Sequence, residues 1–270
     1  MKQFAAAAAL LVALFSNNQQ QSSTTPGGWP CGAHLDLSYF QVAEGTGGHL
    51  LLLAPEEIAD SAALLTAFGS HRQTIFRLAG TLNAGLHEFQ VPIDSSVESV
   101  VFSISVQCLQ VAEVIPPSGA FANREAVTDW SNFRAERMVI VKHPEPGTWT
   151  LRVSGSGISG ITVQGRSAIG ISQVEFAPPP GSVFGSRPAA GVENAVRISV
   201  SGGATEVQAS VVDGLFQPIA RLRREPGEST ESFVSHFTPS GEAFRVQITG
   251  KDNAGVPFQR LHAPLFTPIR

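Results

Sequence analysis

The chain has 270 residues, enough for two domains that each bury a core, and its 26 glycines, 18 prolines and 15% charged residues suit turn-rich β-sandwiches better than helical bundles. A formal net charge of −4 argues against nucleic acid as a partner, because no basic field exists to displace phosphate counterions. The one basic run, Arg221, Arg223 and Arg224, is followed by Glu225 and Glu228 and reads as a solvated strand end.

Residues 1–16 combine one lysine with an unbroken apolar run from Phe4 to Phe15, the pattern of an export signal, with cleavage expected near Ser16. No later segment is apolar enough to cross a bilayer, so the expectation is a secreted chain without a membrane span. Residues 17–30, "NNQQQSSTTPGGWP", have the composition of a flexible linker. Next, "YFQVAEGTGGHLLLL" predicts a short helical turn, a Gly-Gly turn and a strand from His49 to Leu53. In "APEEIADSAALLTAF" Pro55 and the acidic residues after it mark a second helix start. A lone strand and helix cannot bury both faces, so this piece must dock on whatever follows.

From about residue 72 the hydrophobic period changes to two. In "SVVFSISVQ" Phe102, Ile104 and Val106 occupy one face and Val101, Ser103, Ser105 and Gln107 the other, which predicts a half-buried strand. "TWTLRV" puts Trp149, Leu151 and Val153 on a core-facing side. About eight such strands within residues 71–177 predict an antiparallel sandwich or jelly roll, interrupted by a long polar loop over 120–136. "APPPGS", residues 177–182, reads as a Pro-rich hinge. Beyond it, strands at short intervals over 183–270 predict an immunoglobulin-like or fibronectin-like sandwich without the Cys…Trp…Cys signature. The fold class is therefore mainly β: two antiparallel sandwiches preceded by a strand-helix piece.

Several stretches together resemble one family arrangement. "YFQVAEGTGGHLLLLAPEEI" is similar to the closing strand and helix of a von Willebrand factor A domain. "FQVPIDSSVESVVFSISV", "VIPPSG" and "PGTWTLRVSGSG" are similar to strands of a galactose-binding-like sandwich, and "FRVQITGKDNAGVPFQR" to the module after it. That order resembles hemicentin-type extracellular proteins. The resemblance implies that residues 31–70 are an A-domain remnant, that 71–177 are galactose-binding-like and that 183–270 are Ig-like. It also implies a departure. The A domain holds a metal through Asp-x-Ser-x-Ser, whereas "DLSYF" at Asp36 and "DWSNF" at Asp129 place Phe where the second Ser belongs. No metal site and no cofactor is expected.

Catalytic patterns are missing from the sequence. The seven histidines show no H-x-x-x-H or H-E-x-x-H spacing, and G-x-S-x-G does not occur. Asp213-Gly214 and Asp252-Asn253 read as turns. Cys31 and Cys108 are an even pair, which in an oxidising compartment leaves two readings, a disulfide or two buried thiols. The densest set suited to a ligand is Asp129, Trp130, Asn132 and Arg134, where an aromatic platform with acid and amide groups would suit a sugar; the plainer reading is that Trp130 plugs the end of the barrel. Three functional classes remain: a secreted, non-enzymatic matrix or adhesion module acting on an extracellular protein or glycan, a carbohydrate- or calcium-binding lectin-like module, and an accessory piece of a secreted hydrolase.

Overall fold

Alternating apolar and polar residues, broken by Gly, Pro and Asp turns, drive most of the chain into antiparallel strands. The structure is a computed structural model that describes residues 10–13, 31, 37–59, 67–69, 71–120, 127–178, 183–185, 187–223, 229 and 231–269, with backbone alone at 10–13, 55 and 127–132. The N-terminal piece comprises β1 (Leu10–Ala13), α1 (Leu37–Thr46) and β2 (His49–Leu52), with β1 and β2 paired in parallel. The first sandwich comprises β3 (Arg72–Leu82), β4 (Leu86–Ile93), β5 (Val97–Val106), β6 (Val111–Ile115), β7 (Val127–Asn132), β8 (Glu136–Lys142), β9 (Gly147–Ser154) and β10 (Gly157–Ser167). The second comprises β11 (Gly170–Ala177), β12 (Asn194–Ser201), β13 (Thr205–Val212), β14 (Pro218–Leu222), β15 (Ser232–Phe237), β16 (Arg245–Lys251) and β17 (Pro257–Leu261).

In the first sandwich, strands in the order β3-β10-β5-β8-β7 share one core with the small sheet β4-β9-β6. Trp149 is 1% exposed in that core, with its ring centroid 5.2 Å from that of Phe102, and its indole N–H donates to the Glu145 carbonyl at 2.9 Å. In the second, β14-β13-β16-β17 share a core with β11-β12-β15. There Phe176, Phe237, Phe244 and Phe266 meet edge-on, the arrangement aromatic quadrupoles favour. The two larger sheets join where Leu261 of β17 pairs with Thr74 of β3, giving one nine-stranded sheet.

Three local expectations change. Strand β11 was expected in the first sandwich, but it pairs with β12 along its length, so the chain passes between the cores at Ala168–Ile169 and not at the proline run. On either side of the proline run, Phe176 and Gly185 exchange backbone hydrogen bonds at 2.7 Å in each direction, so the chain at Gly185 is back beside β11. The supposed loop 120–136 contains β7, the end strand of the large sheet, with residues 121–126 outside the described part. The helix expected after Pro55 falls largely on residues 60–66, outside the described part, and Pro55–Glu57 before it form a 3₁₀ turn.

The third change concerns β5. Its second face, Val101, Ser103 and Ser105, is buried as well as its first. The N-terminal piece covers it: Leu51 and Leu53 pack with Val101 and Met138, while Leu50 and Leu52 pack with Ala43 and Ala135. Residues 49–52 are all buried, as a strand covered on both faces requires. Between helix and strand, Gly47 takes φ 72° and lies so close to the 263–264 turn that a Cβ would sit 2.9 Å from both the Ala263 Cβ and the Pro264 nitrogen.

Candidate functional site

The four residues singled out as a ligand set do not sit on a loop. Asp129, Trp130 and Asn132 are in β7, opposite Ile140, Val139 and Arg137 of β8, and their side chains lie outside the described part. Arg134 follows in the β7–β8 turn and is exposed, with its guanidinium 3.0 Å from Glu56 and its backbone N–H donating to Glu57 at 2.9 Å. Glu57 also accepts from the Ala54 N–H at 2.7 Å, so one carboxylate caps the 3₁₀ turn and tethers the β7–β8 turn to the N-terminal piece.

Cys31 and Cys108 form a disulfide, with Cα atoms 5.1 Å apart. It anchors the segment before α1 to the turn after β5. Asp36 lies outside the described residues. Among the described residues no group of three or more His, Cys, Asp or Glu side chains is placed to hold a metal ion.

The densest polar chemistry lies at the seam between the sandwiches. Glu44, on the buried side of α1, receives Arg77 of β3 on one carboxylate oxygen at 2.8 Å and Arg245 of β16 on the other. All three side chains are buried. Arg77 also donates to the carbonyls of Ala43 at 3.2 Å, Gly47 at 3.2 Å and Gly48 at 2.5 Å, so it caps the C-terminal end of α1 from another element. That supplies the cation the helix dipole favours, since the last turn of α1 has no basic residue of its own. Burial alone would raise the Glu44 pKa, but the two guanidiniums overcome it and hold the carboxyl below its ordinary value.

A second clamp crosses the seam deeper down. Arg260 of β17 and Asp94, just after β4, are both fully buried and 2.7 Å apart. Arg260 also donates to the Ile169 carbonyl at 3.0 Å and the Ser167 hydroxyl at 2.7 Å, where the chain crosses between cores, and to the Gln259 carbonyl at 2.8 Å. Asp252 does two jobs: one oxygen accepts the Ala254 and Val256 N–H groups of its own turn at 2.9 and 2.8 Å, and the other accepts the Ser95 N–H of the first sandwich at 2.8 Å. Such pairs contribute little net energy relative to apolar packing, but removing one partner strands a buried charge. They specify one arrangement of the two sandwiches.

Beneath β2 lies Glu136, fully buried, with its pKa raised well above the ordinary carboxylate value chiefly by burial. The Ser103 hydroxyl donates to it at 2.8 Å, and Ser105 contacts its other oxygen. Ser105 has a single hydrogen and lies 3.0 Å from the Leu50 carbonyl. A protonated Glu136 resolves the geometry: it donates to Ser105, and Ser105 donates to Leu50 of β2.

Sequence reasoning missed Glu44, Arg77, Asp94, Glu136, Arg245 and Arg260. A weak signal was available for the arginines, because "TIFRLAG", "FRVQI" and "FQRL" each set one charged residue inside an otherwise apolar strand. Nothing local pairs them with Glu44 or Asp94, which are far away in sequence.

With this geometry in view, residues 75–168 match the family described as hemicentin galactose-binding domain-like, a span that ends at the crossing between the cores. Hemicentin-1 of Mus musculus is 27% identical over 201 residues, covering 70% of this chain and 4% of that protein. Hemicentin-1 of Homo sapiens is 26% identical over 200 residues, with the same 70% and 4% shares. The chain is thus hemicentin-like and spans about 4% of the length of the curated relatives it matches. Among solved structures, the Bacillus licheniformis lipase BlEst2 in its propeptide form is 15% identical with a TM-score of 0.33, covering 78% of this chain and 48% of that one. That likeness is too low to bear on fold or activity.

Proposed function

We propose that the chain is a secreted, non-enzymatic interaction module of extracellular-matrix or adhesion type. The observation that carries the reading is the hemicentin likeness, centred on residues 75–168 and extending over 70% of the chain. Two features of the molecule agree with it. A disulfide suits an oxidising compartment. The buried clamps at the seam suit a stiff element that holds its binding surfaces in one relative orientation. In this reading residues 1–16 are an export signal removed on secretion, 17–30 a linker, and 31–70 the strand-helix end of an A domain retained as a cover over the sandwich. The 183–270 region is an Ig-like module completed by β11.

A lectin-like role at Asp129, Trp130, Asn132 and Arg134 is the alternative, favoured by the galactose-binding-like family description. It has less support, because Arg134 is already engaged by Glu56. The test is expression in secretory cells with the native N-terminus, followed by the intact mass of the medium protein and binding to deposited matrix. Retention in the cell, or esterase or glycosidase activity in the purified protein, would overturn the main reading. Glycan binding that Trp130→Ala removes at unchanged melting temperature would establish the alternative.

A further inference from the structure

The N-terminal piece carries a parallel strand pair of its own. Leu10–Ala13 (β1) run alongside His49–Leu52 (β2), Leu10 opposite His49 and Ala13 opposite Leu52, and among the described residues β1 is the only strand paired with β2. α1 lies beside both strands, so β1, α1 and β2 form one β-α-β unit, the crossover connection that parallel strands require. Everything that fixes α1 and β2 in place lies downstream of residue 16. Glu44 of α1 is clamped by Arg77 and Arg245, Cys31 is bonded to Cys108, and the Leu50 carbonyl of β2 accepts from Ser105. On the secreted reading, β1 leaves with the export signal while the strand it pairs with stays anchored.

The edge so uncovered has none of the features that keep a strand edge from pairing. "HLLL" contains no lysine, proline or carboxylate, and its one titratable side chain, His49, is buried. The stretch left at the new N-terminus, "NNQQQSSTTPGGWP", cannot take the place of β1, because it has no aliphatic residue and is broken by Pro26 and Pro30. We propose that the mature protein is a strand acceptor, whose vacated β2 edge takes an extended aliphatic segment of a partner polypeptide running parallel to β2. The chemistry of the occupant is given by the segment seated there in the full chain: "LLVA" is an unbroken apolar run, as suits a strand laid beside one that is covered on both faces. Main-chain hydrogen bonds supply the affinity and the aliphatic run the selectivity. Tyr39 and Val42, a helical turn apart on α1 and both exposed, add apolar surface on the same piece. The inference deepens the matrix-module reading by naming how a partner attaches, and it rests on that reading for the removal of residues 1–16.

The test uses the protein recovered from the medium, its N-terminus established by intact mass, and a fluorescent peptide of residues 7–16 with a lysine tail at its C-terminus for solubility. The expected result is saturable one-to-one binding by anisotropy, at least about tenfold tighter than that of the same peptide carrying Leu11→Pro and Val12→Pro, which cannot donate to the ladder. A nitroxide on the N-terminus of the peptide should broaden the backbone amide resonance of His49 more than that of Leu52, as the parallel register demands. These changes are made in the peptide and leave the protein untouched, so misfolding cannot imitate a loss of binding. Equal binding of the two peptides, no saturable binding, or stronger broadening at Leu52 would each overturn the proposal while secretion and matrix binding stand. A secreted protein that keeps residues 1–16 would overturn the proposal and the export-signal assignment together, because β1 then fills the edge itself.

Discussion

Replacing Glu44 with Gln tests whether the N-terminal piece bolts the two sandwiches together. The carboxylate holds one guanidinium on each oxygen, and all three groups are buried at the seam. A glutamine of the same shape accepts from one arginine only, and its amide N–H groups face the other. Removing one partner of a buried ion pair costs roughly 3–5 kcal/mol, so Glu44→Gln should cost about 4 kcal/mol. That is a large part of the roughly 5–15 kcal/mol a domain possesses. Removing all three charges is a different perturbation: in Glu44→Leu/Arg77→Met/Arg245→Met no charge is left unpaired, so most of the loss should be recovered. The assay uses the distribution of tryptophan. Trp149 sits in the first core, and residues 183–270 contain no tryptophan, so fluorescence follows the first sandwich while far-UV circular dichroism follows both. In the parent protein the two denaturation curves should coincide, and in Glu44→Gln they should separate. A loss below about 1 kcal/mol with curves still coincident would refute the clamp.

Glu136→Gln keeps a donor toward Ser105 and removes a titrating group. Because the folded-state pKa of Glu136 is raised, its contribution is fully present below about 4.5 and is lost as pH rises toward the folded value. The parent should therefore lose stability relative to Glu136→Gln as pH increases from about 4.5, and parallel melting curves across that range would contradict a buried neutral acid. His49 and His262, with pKa values lowered to about 3 and about 4, act in the opposite sense. Their stabilisation is present above about 6.5 and fades as pH falls toward those values, which a His262→Phe variant should blunt in acid melts. Cys108→Ser opens a loop spanning 77 residues and should cost up to about 4.5 kcal/mol by chain-entropy arithmetic, read by urea denaturation with and without reductant. Trp149→Ala should cost about 3–5 kcal/mol; an unchanged melting temperature would mean the core closes around the gap.

Period-two patterning in "SVVFSISVQ", "TWTLRV" and the strands after residue 183 determines the all-β class and the inward face of each strand, because alternation is a local property of the backbone. Trp149 shows it: its burial follows from the residues beside it. The second face of β5 was not legible. Val101, Ser103 and Ser105 look solvent-facing until β2, some fifty residues upstream, is laid over them. The proline run misled for a similar reason, since prolines mark a turn but cannot say whether the chain returns to the same sandwich, and Phe176 and Gly185 show that it does. Glu44 with Arg77 and Arg245, and Asp94 with Arg260, were beyond reach from sequence altogether. Long-range ion pairs carry no periodicity. Which cation meets which carboxylate depends on where β17 meets β3 and where α1 comes to rest, and only the assembled tertiary structure decides that.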